Sequence, residues 1–306
     1  MKIRILPSMT ACVVILALFV IGATGFSHQK TIRSEVSIVN IVFSALDKDG
    51  VPVTGLKAED FSIVENGEPQ EIEFFSETAK SEEVILTIAL IIDVSGSVKD
   101  KLQYEIDAAA EFFREILRPG KDLALIMEFY SEVNLVQDFT QNQDTLVDAL
   151  NTLKAGGGTS LYDAVYLAAD EKLRFETGRK VMVVISDGED TSSIVSSDEA
   201  IEAAQKSDAL IYGIGVRGSR SRGGFGDLKN FSEQTGGAFF SPRAEFKEIK
   251  ETFRKIGRDI RGQYSLAYTP TDKRKDGTFR RIEIRCNKRD VRIRSRRGYY
   301  APDKDR

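Results

Sequence analysis

Histidine is almost missing from this sequence. Its 306 residues hold one, His28, close to the N-terminus. If a leader is removed near that point, the remaining chain has no imidazole. That excludes histidine general-base catalysis, Ser-His-Asp triads and the common zinc sites, while carboxylate and hydroxyl chemistry stays open. Cysteine is scarce too. Cys12 lies in an apolar leader and Cys286 stands alone in the body, so no internal disulfide is available to a mature chain and the fold has to hold by its core. Cys286 alternates with Ile282 and Ile284 and is expected as a small buried apolar residue. Nor is one sign of charge in large excess. A net charge of -4 over this length provides no electrostatic reason to expect a nucleic-acid partner.

What is present is the balance of an ordinary globular protein, 42% apolar and 29% charged, at a length that suits one large domain with a satellite. Lys2 and Arg4 precede an apolar stretch whose densest part is "ACVVILALFVIGATGF", followed by the small residues Ala23 and Gly25. Residues 1–29 are therefore expected to be a secretory signal peptide, with an uncleaved signal anchor as the alternative. The apolar core falls short of the ~20 residues that cross a bilayer comfortably. In both cases the positive start stays inside and the body is exported, to a secreted, periplasmic or cell-surface location. Contact with a membrane is expected only if the leader is retained.

From Val84 to Gly262 strands and helices alternate. "VILTIALIID" and "KVMVVISDG" are near-continuous apolar runs, as central parallel strands covered on both faces should be. "KLQYEIDAAAEFFREIL" carries Leu102, Ile106, Ala109, Phe113 and Leu117 on one helical stripe. "DLALIMEFY" and "VNLVQDFT" are joined by the short link Ser131-Glu132 and predict a hairpin. "SSDEAIEAAQKSD" opens with a Ser cap and an acidic first turn. This alternation predicts an α/β fold: a doubly wound, mainly parallel sheet with helices on both faces over 83–262. The flanks, 30–80 and 263–306, read as strands broken by turn pairs, with Asn66-Gly67 the strongest hairpin signal. Neither flank alone is long enough for a good core, so the two are expected to pair into one small β-domain with the α/β domain inserted between them.

"ALIIDVSGSV", residues 89–98, ends a buried strand on a carboxylate and two hydroxyls. Alternate residues of an extended segment point the same way, so Asp93, Ser95 and Ser97 are expected to converge, with Gly96 sparing room for the turn. In doubly wound sheets ligands sit at the carboxyl ends of the strands. "GGGTSLYDA" sets Thr159 in a loop before a helix, and "VVISDGED" sets Asp187 at the end of another buried strand. Three loops at one sheet edge, each offering oxygen, suit a hard cation such as Mg²⁺.

Asp93-x-Ser95-x-Ser97, then Thr159, then Asp187, resembles the metal-ion-dependent adhesion site of von Willebrand factor A (VWA) domains, and the element order from Val84 to Gly262 resembles that fold. The flanks, with "GVPVTGLKAEDFSIVENGEPQEIEFF" and "RRGYYAP", are similar to a VWA-related family known mainly from acidobacterial genomes. The resemblance implies a site in which Ser95, Ser97 and Thr159 ligate Mg²⁺ directly, with Mn²⁺ or Ca²⁺ as alternatives, and Asp93 and Asp187 act directly or through water. It also implies a protein partner that supplies an Asp or Glu to the metal, and binding instead of catalysis. A structural component of an envelope complex, with the metal site incidental, is the rival expectation. A hydrolase is disfavoured because no motif sets a histidine or lysine base beside Asp93.

Three weaker features have bland readings. "GIGVRG" holds Gly213, Gly215 and Gly218 at dinucleotide spacing, but two of these fall within a predicted strand. "DKDG" at 47–50 lacks the other ligands of a calcium loop and predicts a β-turn. The closing strands are rich in Arg and Lys, from Arg280 to Arg297, alternating with Ile282, Ile284, Val291 and Ile293. They are expected to present a solvated basic face, or one in contact with an anionic surface.

Overall fold

The computed structural model describes residues 38–77, 84–187, 190–216 and 224–303. The leader lies outside the described residues, as does most of the glycine- and arginine-rich loop after Val216. Among the described residues no helix is long and apolar enough to cross a membrane. Ser37–Arg306 form one compact unit.

At its centre lies a six-stranded sheet of β5 (Leu86–Asp93), β6 (Leu123–Phe129), β7 (Val133–Thr140), β8 (Arg179–Ser186), β9 (Leu210–Gly215) and β10 (Phe239–Phe240), in the order β10-β9-β8-β5-β6-β7. All neighbours are parallel except β6 and β7, which form the predicted hairpin. Every residue of β5 is buried because both faces are covered. Ile88, Leu90 and Ile92 point into a core shared with α1 (Leu102–Ile116), α2 (Gln143–Leu150) and α6 (Phe246–Arg261). Ala89 and Ile91 point into the opposite core, shared with α3 (Leu161–Leu167), α4 (Ser197–Lys206) and α5 (Gly226–Thr235). The fold is the expected doubly wound α/β sheet.

Local chemistry explains the helix ends. Ser196 and Glu199 form a reciprocal capping box at the start of α4. Asn142 caps α2 by accepting from the backbone N–H of Asp144 and Thr145. α2 stops at Leu150, and α3 gives way after Leu167 to a π turn, Ala168–Lys172, and a 3₁₀ turn, Leu173–Phe175.

The flanking strands are β1 (Val39–Leu46), β2 (Phe61–Glu65), β3 (Glu68–Gln70), β4 (Phe74–Glu77), β11 (Tyr264–Tyr268), β12 (Phe279–Cys286), β13 (Arg292–Ser295) and β14 (Gly298–Tyr300). They form two sheets, β13-β1-β11-β4 and β14-β12-β2-β3, each mixing strands from both ends of the chain. Between them lies a third core that includes Ile41, Phe43, Ile63, Tyr264, Leu266 and Ile284. Asn66 (φ 48°) and Gly67 (φ 93°) make the tight turn between β2 and β3. Cys286 is half-buried at the margin of this core instead of inside it.

The basic strands follow expectation in part: Arg281, Arg285, Lys288, Arg289, Arg292 and Arg297 are exposed, whereas Arg280 is not. Arg280 shares the inner face with Ile282 and Ile284 and is buried against Glu65, 3.3 Å away, which also accepts hydrogen bonds from Tyr268 (2.7 Å) and Tyr299 (2.9 Å). Arg294 pairs with Asp259, Arg296 with Asp208, Arg297 with Glu233 and Lys288 with Asp60. Arg294 and Arg296 are thus drawn down onto helical or turn carboxylates, while Lys288 and Arg297 are paired and still face water. The β13–β14 connection docks on the end of α5, where Gly236 (φ +86°) closes the helix. A Cβ there would stand 2.4 Å from the backbone nitrogen of Arg296, so only glycine fits.

Candidate metal-binding edge of the sheet

The carboxyl ends of β5 and β8 bring the candidate residues to one edge. Asp93 is fully buried at the end of β5. Its Oδ1 accepts from the backbone N–H of Ser95 at 2.8 Å, closing a local turn, and its Oδ2 accepts from the hydroxyl of Ser186 at 2.6 Å. Ser186 ends β8 and is followed by Asp187, itself 4% exposed. The Ser95 and Ser97 hydroxyls meet at 2.9 Å. They do so through a 3₁₀ turn, Gly96–Val98, and not by strand alternation, because the strand ends at Asp93.

Backbone hydrogen bonds fasten the second loop to the first. Gly96 N–H donates to Gly157 O at 3.1 Å, and Gly156 N–H to Val94 O at 2.7 Å. Gly96 is not the sterically demanding residue, since a Cβ there would find ordinary contact at 3.6 Å. The demand falls on the glycine run. Gly157 has φ +80°, and a Cβ would meet Tyr130 at 2.7 Å; at Gly158 it would meet Ser192 at 2.8 Å. Thr159, 5% exposed, is fixed through its backbone: its N–H donates to the Thr191 hydroxyl at 3.0 Å, and its carbonyl accepts from Thr191 and Ser192 N–H. Among the described residues no hydrogen bond engages its hydroxyl.

The loop beyond Thr191 is stiffened in the same way. Asp163 accepts from the N–H groups of Ile194 and Val195, leaving the Ile194 side chain 95% exposed.

Electrostatics at this edge are lopsided. Burial pushes the Asp93 carboxyl above its ordinary range despite the Ser186 and Ser95 hydrogen bonds, and repulsion from Asp187 adds to the rise. Glu105, in the first turn of α1, is 1% exposed and neither carboxylate oxygen has a hydrogen-bond partner. Burial drives it up to about 8, with Asp93 and Asp187 adding repulsion against the pull of Lys101. Lys101 is itself buried, and its ammonium donates to the Val216 carbonyl. Glu105 thus feels two further low-accessibility carboxylates and one opposing lysine, and Asp93 lies beside a set of hydroxyl oxygens. This donor chemistry is all oxygen, which fits a hard divalent cation.

Residues 88–189 match the von Willebrand factor type A domain family, a span that runs from β5 to just past Asp187. The chain carries a von Willebrand factor type A domain. An uncharacterized protein of Borreliella burgdorferi is 23% identical over 186 residues, 52% of this chain and 54% of that protein, so the match spans about half of the curated relative. Proximal thread matrix protein 1 from the mussel byssus has a similar fold, with a TM-score of 0.52 and 15% identity over 64% of this chain and 51% of that one. A second structure of that protein, described with a zinc-occupied MIDAS motif, has a TM-score of 0.51 and 16% identity over 61% of this chain and 48% of that one.

Sequence reasoning missed three residues of this A-domain edge: Ser186, Lys101 and Glu105. Ser186 could have been found, because it immediately precedes Asp187 at the end of the same apolar run. Glu105 also left a signal, since it lies three residues after Leu102 and four before Ala109 on the buried stripe of α1. Nothing local marks Lys101. The glycines of "GIGVRG" serve packing: a Cβ on Gly213 would crowd Leu228 O at 3.2 Å, and one on Gly215 would meet the Phe225 ring at 2.6 Å, while Gly218 lies outside the described residues. In "DKDG", Asp47 Oδ1 accepts from the N–H groups of Asp49 and Val51, and Gly50 takes φ +78°, which makes a turn.

Proposed function

We propose that this chain is an exported, non-enzymatic protein-binding module whose A domain recognises an acidic group of a partner in a Mg²⁺-dependent way. The observation that carries the reading is the meeting of two buried carboxylates, Asp93 and Asp187, with hydroxyl oxygens at one sheet edge. Their mutual repulsion is unfavourable unless a cation offsets it. Ser95, Ser97 and Thr159 would be the direct ligands, and Asp93 and Asp187 would act directly or through water. When bound, the ion supplies positive charge and an open coordination position for a carboxylate. The chain's own residues hold the oxygens in place: Ser186 orients Asp93, and the glycine run fixes Thr159. The zinc-occupied motif in the mussel protein supports divalent-metal use by this fold. Exposed Ile194, two residues beyond a loop bonded to Thr159, gives the same rim an apolar contact. Aromatic and aliphatic contacts around a polar centre are how interfaces gain affinity. Export rests on the leader.

Capture of partners from an envelope extract, with and without chelator, tests this. We expect capture that is lost with EDTA, restored by Mg²⁺ and abolished by Asp93→Ala. Capture indifferent to chelator overturns the reading and favours a structural component acting through the flanking strands.

A further inference from the structure

A second polar site lies at the opposite edge of the sheet. The amino ends of β8 and β9 border a cleft of about 250 Å³, closed on one side by β1 and on another by Arg296. Arg179 opens β8 and lines this cleft at 6% exposure. Its Nη1 donates to Ile260 O at 3.1 Å, and among the described residues this is the only hydrogen bond its side chain makes. Nε is buried without a partner. No carboxylate among the described residues forms an ion pair with it. Asp259, whose field reaches it, spends Oδ2 on Arg294 and the Tyr212 hydroxyl, while its Oδ1 is buried without a hydrogen-bond partner and forms no ion pair with Arg179. Burial draws the guanidinium down to about 10, a measure of how poorly it is solvated.

The remaining lining charges do not solve this. Asp208 is paired with Arg296, whose Nη2 donates to Asn40 O at 3.0 Å. Lys180, half-buried and donating to Arg174 O at 3.2 Å, brings the lining to three cations against two carboxylates, Asp208 and Glu176. A buried cation without an ion pair is unfavourable unless an opposite charge meets it. With Nη1 spent on a carbonyl and Nε buried, Nη2 has no hydrogen bond among the described residues, and a charge-assisted bond from it suits a carboxylate or phosphate oxygen.

We propose that this cleft binds a small oxyanion, a carboxylate or a phosphate, through Arg179 with Lys180 at its mouth. The volume limits the ligand to the size of a small organic acid or inorganic phosphate.

Isothermal titration calorimetry on the full mature chain tests the site, with sodium succinate and sodium phosphate as separate probes at matched ionic strength. EDTA throughout keeps the metal edge silent. We expect one-to-one binding of at least one probe, weakened at least tenfold by Arg179→Met. Succinate alone binding identifies a carboxylate site; phosphate alone binding identifies a phosphate site. Binding of neither probe at millimolar concentration, or equal binding by Arg179→Met, overturns the proposal. Should Arg179→Met fail to fold, Lys180→Met replaces it, and unchanged affinity in that variant counts against the site.

Discussion

Glu105→Gln should make the protein more stable, and increasingly so as the pH rises. In the folded chain this carboxyl is buried without a hydrogen-bond partner and is raised from 4.5 to about 8. A group whose folded pKa is raised contributes stability that is fully present below 4.5 and is lost as pH climbs through about 8. At about 1.4 kcal/mol per pH unit, the wild type should lose about 3–4 kcal/mol from this group between pH 5 and pH 8. Glutamine is the neutral isostere and loses none of it. Any fixed cost of its amide is the same at both pH values and drops out of the comparison. Urea unfolding of both proteins in EDTA at pH 5 and pH 8 measures the effect. The stability gap should widen in favour of Glu105→Gln by about 3–4 kcal/mol. Added Mg²⁺ should narrow it, because a cation beside Asp93 and Asp187 attracts the ionised form. A gap that stays constant with pH refutes the argument that Glu105 is uncompensated.

Asp93→Ala should remain folded by circular dichroism yet lose the rise in melting temperature that Mg²⁺ produces in the wild type; equal rises refute the ligand assignment. Asp122→Asn should cost about 1–3 kcal/mol near neutral pH. Burial pushes this carboxyl up, but the side chain of Arg118 and the N–H groups of Leu86 and Arg118 outweigh it and leave the pKa lowered. Its contribution is therefore present above the unfolded pKa and vanishes as pH falls through the folded one, so denaturant melts of the two proteins should converge in acid. Leu90→Ala, at the centre of β5, removes a side chain with no exposed surface and should cost about 2–5 kcal/mol in the same assay.

The central strands were legible because their signal is local. β5 and β8 are unbroken apolar runs, and a strand buried on both faces needs to be one. The α4 cap was legible for the same reason, since Ser196 and Glu199 interact within one turn. The hydroxyls of Ser95 and Ser97 do meet, but through a turn that strand periodicity did not foresee. Gly96 was credited with a steric role that belongs to Gly157 and Gly158, whose neighbours Tyr130 and Ser192 come from other loops. Arg280 was expected outside because arginine is seldom buried. It lies inside because Glu65, 215 positions away, supplies the opposite charge.

By itself, then, the sequence determined which segments are strands and helices, which edge gathers oxygen donors, and that no imidazole or disulfide chemistry is on offer in the body. Tertiary structure alone decided which flanking strands pair, which charges become buried, and where the Arg179 guanidinium lacks an ion pair among the described residues. The division has a physical cause. Periodicity, capping and turns depend on neighbours within a few residues. Desolvation and ion pairing depend on which distant surfaces come to share a core.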